Sequence, residues 1–259
     1  MTFTIIAFII LVGFIIFALS KLKPKKSESF PKQWHNQLLE HVHFYRELSS
    51  EKQKEFQKRM MLFLSEVTIE GVQLELQDLD RMLIAASAVI PVFGFPEWHY
   101  NTLSGVLLYP DNFNDDFDFD KTNKNRIIAG MVGTGRLEKQ MILSKKALYH
   151  GFANSNDKSN TAIHEFVHLI DKMDGDTDGV PEYIMKHAYT IPWLKMIHKE
   201  MEAIHHHKSD IRSYGGTNQA EFFAVASEYF FENPKLMQKK HPELFNMLQL
   251  CFHTPKPNA

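Results

Sequence analysis

Residues 161–175 constrain the fold more than any other stretch, because their apolar and polar positions obey a single period. Ile163, Phe166, Val167 and Ile170 fall at i, i+3, i+4 and i+7, the buried stripe of one amphipathic helix. At about 100° per residue, His164, His168 and Asp171 cluster roughly a quarter-turn from that stripe. Both imidazoles therefore project from one side, one turn apart, and can share a metal ion. Glu165 lies a further step around, within reach of a metal-activated water without ligating the metal, where a general base is needed. A five-residue pattern arises by chance in a chain with 14 histidines, so the helical context carries more weight than the letters HEFVH.

A catalytic zinc site takes three protein ligands plus water, so a third ligand has to come from elsewhere in the chain. Residues 217–232 read as a helix in which Glu221 and Glu228, seven residues apart, lie within about 20° of one another. Ala224 and Val225 flank that face, and a carboxylate among small apolar side chains is costly to bury without a cationic partner. The alternative is that both are solvated helix carboxylates.

HEFVHLIDKMDGDTDGVP together with QAEFFAVASEYFF resembles the Mlc titration factor A family of zinc-dependent peptidases, as do RELSSEKQKEFQKRMMLFL and GVLLYPDNF. The likeness runs over roughly residues 34–250. It implies an α+β, zincin-like metallopeptidase domain with a small sheet and a mostly helical C-terminal half. It also implies Zn2+ held by His164, His168 and Glu221, with Glu165 as the catalytic glutamate. Tyr214 matches the family's tyrosine seven residues before the third ligand. A neutral phenol there can donate to the oxyanion of a tetrahedral intermediate; otherwise it is an ordinary half-buried tyrosine. Asp171 and Glu228 are candidates for orienting a histidine through its free N–H, or for polar helix packing. The expected activity is peptide-bond hydrolysis, with peptides or proteins as substrates. The rival from another class is a protein that sequesters a regulator, as the family's name permits.

The other elements follow from periodicity and turn residues. Helices are expected from Ser50, which with Gln53 resembles a capping box, and at about 78–92, 157–174, 183–207 and 242–251. Short strands are expected around 67–76, 104–109, 127–132 and 139–144, the last a candidate sheet edge for an extended peptide. The acidic, Phe-containing stretch 112–120 reads as a surface loop. Asp174, Asp176, Asp178 and Gly179 imitate the opening of a calcium loop, but its twelfth position would be Met185 and Pro181 intrudes. His205, His206 and His207 point in different directions on a helix and cannot share one ion.

Residues 3–19 form an apolar run interrupted only by Thr4, Ala7, Gly13 and Ala18, nearly long enough to span a hydrocarbon core of roughly 30 Å. No basic residue precedes it, unlike a cleaved signal peptide, and Lys21, Lys23, Lys25 and Lys26 follow it. The expectation is one transmembrane helix over 3–20, a juxtamembrane linker over 21–33, and a peptidase domain over 34–259 on the cytoplasmic side of the membrane. The 259-residue chain has a formal net charge of −2, which offers no basic field for nucleic acid. Its single cysteine, Cys251, excludes an internal disulfide.

Overall fold

The computed structural model describes residues 29–113, 128–133, 135–154, 157–185 and 187–252. They form ten helices and a four-stranded sheet. The helices are α1 (Lys32–His41), α2 (His43–Arg46), α3 (Ser50–Glu66), α4 (Asp78–Val89), α5 (Lys145–Ala153), α6 (Thr161–Asp171), α7 (Thr190–His205), α8 (Gln219–Glu232), α9 (Pro234–Lys240) and α10 (Pro242–Cys251). The strands are β1 (Thr68–Gly71), β2 (Gly105–Tyr109), β3 (Gly130–Val132) and β4 (Gln140–Ser144).

The sheet order is β1-β2-β4-β3. β1 and β4 flank β2 in parallel, with Ile69 opposite Val106 and Val106 opposite Met141, and β3 runs antiparallel to β4, Met131 opposite Ile142. β2 reads Gly-Val-Leu-Leu-Tyr, a near-continuous apolar run suited to a strand covered on both faces. β4 passes directly into α5, whose first turn is closed by Ser144 Oγ accepting from the Ala147 N–H. The 139–144 segment is therefore not a sheet edge: β4 is paired on both sides, and β3 takes the edge among the described residues.

The core lies between the sheet and the helices, and α6 runs through it. Phe166 is fully buried and meets Phe63 of α3 and the Tyr100 ring at centroid distances of 5.6 and 5.2 Å. With Ile163, Val167 and Ile170 also buried, the stripe fixes how α6 is rolled, and each such side chain contributes about 1.5–3 kcal/mol. Two glycines with positive φ, Gly175 (115°) and Gly179 (82°), turn the chain back after α6. A Cβ on Gly179 would lie 2.3 Å from the Gln219 carbonyl oxygen, so only glycine lets this turn approach the start of α8.

Three sequence expectations need correcting. Among the described residues no helix is long and apolar enough to cross a membrane. The longest, α3, has 17 residues and carries Lys52, Lys54, Lys58 and Arg59, each costly in lipid. The helix expected over 3–20 lies outside the described residues, as does most of the 21–33 linker. The fold class is thus corrected to α+β with a small mixed sheet and no membrane-spanning helix among the described residues, and the single-pass membrane localisation, with the cytoplasmic placement that depended on it, is not retained. The cap of α3 is Ser49, whose Oγ accepts from Lys52 N–H, one residue earlier than the Ser50 capping box. The loop expected over 112–120 falls mostly outside the described residues.

Candidate metal centre

Asn160 starts the helix that carries the site. Its side-chain oxygen accepts from the Ile163 N–H, the usual work of an N-cap, while its amide nitrogen donates to the Gly151 carbonyl on α5. Gly151 has no side chain because a Cβ there would lie 2.8 Å from Asn160 Cγ. The cap therefore sets where α6 begins, and with it the positions of His164, Glu165 and His168.

α8 packs against α6 and grips His164 from both edges. Glu228, buried at 1% exposure, places Oε1 2.8 Å from His164 Nδ1, and Glu221 places Oε2 3.0 Å from His164 Nε2. Glu221 Oε2 is also 3.5 Å from His168 Nε2, and the two histidine Nε2 atoms are 3.0 Å apart. Asn218 caps α8 by accepting from the Glu221 N–H, which fixes this carboxylate in the first turn. The alternative of two solvated carboxylates does not hold: Glu228 is buried and Glu221 half-buried, both facing α6.

Glu228 receives three donors. Its Oε2 accepts from the Asn160 N–H at 2.6 Å, and its Oε1 accepts from an Arg212 guanidinium nitrogen as well as facing His164. A carboxylate so supplied accepts only, so the neutral imidazole of His164 keeps its proton on Nδ1 and can present the Nε2 lone pair. That lone pair, Glu221 Oε2 and His168 Nε2 lie within 4.8 Å of one another, the arrangement that can hold a metal ion. These atoms repel unless protons or a metal cation lie among them, and a metal could take the place of the protons that the histidines share with Glu221, so the donor set fits a metal. Three carboxylates, Glu165, Glu221 and Glu228, gather here around the two histidines and the single guanidinium of Arg212, a setting in which a divalent cation would be well compensated.

The protein's own charges act strongly on these groups. Burial, the largest effect, disfavours an imidazolium at His164, yet the Glu228 charge and the Glu221 and Glu228 hydrogen bonds raise it to about 10. Burial opposes ionisation of Glu221, but its bonds to His164 and His168 hold it well below the usual carboxylate range. Burial raises Glu165, with the two histidines pulling the other way. Glu165 is 5% exposed and lies against edge strand β3, where a Cβ on Gly130 would come 2.9 Å from Glu165 Cγ.

Tyr214 sits in a short turn, residues 213–216, with its ring centroid 5.9 Å from that of His164 and 42% of its surface exposed. Asp171 Oδ2 accepts from the Gly179 N–H at 2.8 Å and closes the turn after α6. Burial pushes its carboxyl up to about 7. Asp174 and Asp178 cap the same turn, accepting from the N–H groups of Asp176, Glu182 and Val180. His205, His206 and His207 are exposed at the end of α7.

Sequence reasoning overlooked Arg212, Asn160 and Gly130. Asn160 was detectable, being a favoured capping residue just ahead of the apolar period, and a glycine inside a strand marks a close approach. Arg212 gives no such signal.

Two histidines one turn apart, a glutamate from a second helix and another glutamate alongside form a cluster of the metallopeptidase type. Residues 18–253 match the family described as glucose-regulated metallo-peptidase M90, and the chain belongs to that family. Among its relatives are proteins named Mlc titration factor A. That of Cronobacter sakazakii is 29% identical over 212 residues, covering 76% of this chain and 77% of the relative. That of Escherichia fergusonii is 28% identical over 240 residues, covering 86% and 87%. An uncharacterized protein, slr2042, of Synechocystis sp. is 27% identical over 235 residues, covering 86% and 84%.

Proposed function

We propose that the protein is a zinc-dependent peptidase that hydrolyses peptide bonds in peptides or proteins, with its catalytic domain within residues 34–259. His164, His168 and Glu221 would hold the zinc, and the convergence of their three acceptor atoms is the observation that carries this reading. Two histidines and a carboxylate are a donor set that zinc accepts, and three ligands rather than four suit a catalytic site. Bound zinc supplies Lewis acidity toward a scissile carbonyl and acidifies water.

Glu165 is the general base in this reading. It stands beside the cluster rather than in it, and burial raises its affinity for a proton, so it can take one and pass it to the leaving amine. Tyr214, exposed and with its ring tilted 33° to that of His164, would donate a hydrogen bond from its phenol to the developing oxyanion. The edge of β3, next to Glu165 through Gly130, offers backbone to an extended substrate in place of the 139–144 segment.

A change of Glu165→Gln tests the reading. Zinc measured by elemental analysis should stay near about one per chain. Turnover of a peptide library should fall by a factor on the order of 10² to 10⁴. Cleavage as fast as the parent at equal zinc occupancy would overturn the mechanism.

A second activity is supported by the name shared by several relatives, Mlc titration factor A. On that reading the protein also captures a regulator such as Mlc, and Glu165→Gln should capture it as well as the parent does.

A further inference from the structure

We propose that Arg212 is a positioning residue for this site, acting at once on the metal-facing histidine and on the tyrosine turn. The inference rests on His164 being a metal ligand and Tyr214 an oxyanion donor. Arg212 reaches Glu228 with one terminal nitrogen and Ser159 Oγ with the other, the latter at 3.0 Å. Ser159 directly precedes the Asn160 cap, so the two arms of one guanidinium hold the start of α6 and the carboxylate that faces His164 Nδ1. A planar fork with fixed donors suits this double contact better than an ammonium.

Arg212 acts on the turn through its backbone. Its carbonyl accepts from the Gly215 N–H at 3.0 Å, and Tyr214 lies between the two. The turn also packs tightly on both sides: a Cβ on Gly215 would come 3.3 Å from Val225 Cγ1, and one on Gly216 3.1 Å from Ile204 Cγ2. Anchoring the Arg212 side chain on Glu228 thereby registers the Tyr214 turn against α8, the helix that supplies Glu221. Outer groups of this kind usually matter 10- to 100-fold in metal affinity or activity.

The test uses the purified full-length protein, zinc affinity by competition with a chromophoric chelator, and kcat and KM on fluorescein-labelled casein. Arg212→Met should weaken zinc binding about 10- to 100-fold. Glu228→Gln should weaken it similarly, and the double variant should be little worse than either single one, because both cut the same link. Arg212→Lys keeps the charge but not the fork. Its zinc affinity should stay close to the parent's while kcat falls with KM held, the mark of a displaced Tyr214.

A general structural role would instead make the losses in the cycle add and leave kcat of Arg212→Lys unchanged. Either result, or parental zinc affinity in Arg212→Met, would overturn the inference. If Arg212→Met does not fold, Arg212→Gln, which also removes the charge, replaces it in the same cycle with Glu228→Gln, with additive losses again the overturning result. If the parent leaves casein uncut, the peptidase reading loses support while the zinc cycle alone decides the role of Arg212.

Discussion

Around His164 a carboxylate and two imidazoles converge on one point, whereas around Asp210 lysines answer the carboxylate as well, although both regions are built from carboxylates and histidines. Asp210 Oδ2 accepts from Lys158 Nζ at 2.5 Å, Lys240 Nζ at 3.0 Å and Tyr229 Oη at 3.0 Å, and its Oδ1 accepts from His241 Nε2 at 2.7 Å. His241 passes the chain on through Nδ1 to Glu200 Oε2 at 3.0 Å. Two lysines and one histidine thus answer two carboxylates. Burial works against the charge of Asp210, but these donors hold its carboxyl well below the usual range. At the His164 cluster Arg212 answers Glu228, and the charge of Glu221 is met by the histidines alone, whose shared protons a metal ion could replace. Among the described residues the His164 cluster is the one group of three able to hold a metal. Residue type does not separate a structural ion network from a candidate metal site; whether lysines answer the carboxylate does.

The comparison can be broken by removing one member from each region. His164→Ala should take zinc from about one per chain to about none, since two ligands are too few for a catalytic site. Asp210→Asn should keep the metal and lower unfolding free energy by roughly 1–2 kcal/mol, the range for a partly solvated hydrogen-bonded charge. Elemental analysis and denaturant melts read both. Metal lost from Asp210→Asn, or kept in His164→Ala, would erase the distinction.

How much of this was legible in the sequence depends on the range of each contact. His164 and His168 were readable because a helix fixes the faces of residues four apart, and the stripe of Ile163, Phe166, Val167 and Ile170 fixes which side is buried. The spacing of Glu221 and Glu228 placed both on one face of α8. Which of them reaches the cluster depends on how α6 and α8 cross, and family resemblance rather than spacing singled out Glu221. Arg212 was invisible, because a residue in an irregular loop obeys no period and its partners Ser159 and Glu228 lie 53 and 16 residues away. Strand order was hidden in the same way: 139–144 reads as a strand, but that β3 and β2 cover both its edges is a property of the tertiary fold. Asp171 sat on the histidine face by period, yet its oxygen found the Gly179 N–H because the chain turns back there.

The smallest expected effect concerns pH and sharpens the contrast within the Asp210 network. The Glu200 hydrogen bond raises the pKa of His241 above its ordinary 6.5; burial lowers it in part, and the Asp210 bond and the two charges add to the rise. The groups facing His241 are Glu200, Asp210 and the Tyr229 ring, with Lys158 and Lys240 acting through Asp210. A base whose folded pKa is raised contributes stability that is fully present below 6.5 and lost as pH climbs through the folded value. The gap in denaturant midpoint between the parent and His241→Gln should therefore be widest below pH 6.5 and narrow as pH rises above it. After allowance for solvent screening its change should be on the order of 0.5–1 kcal/mol. Taking the difference between the two proteins cancels titrations elsewhere, including those at the His164 cluster. A gap that stays constant, or widens with pH, would mean that His241 is neutral in the fold and that Asp210 is held by its lysines and Tyr229 alone.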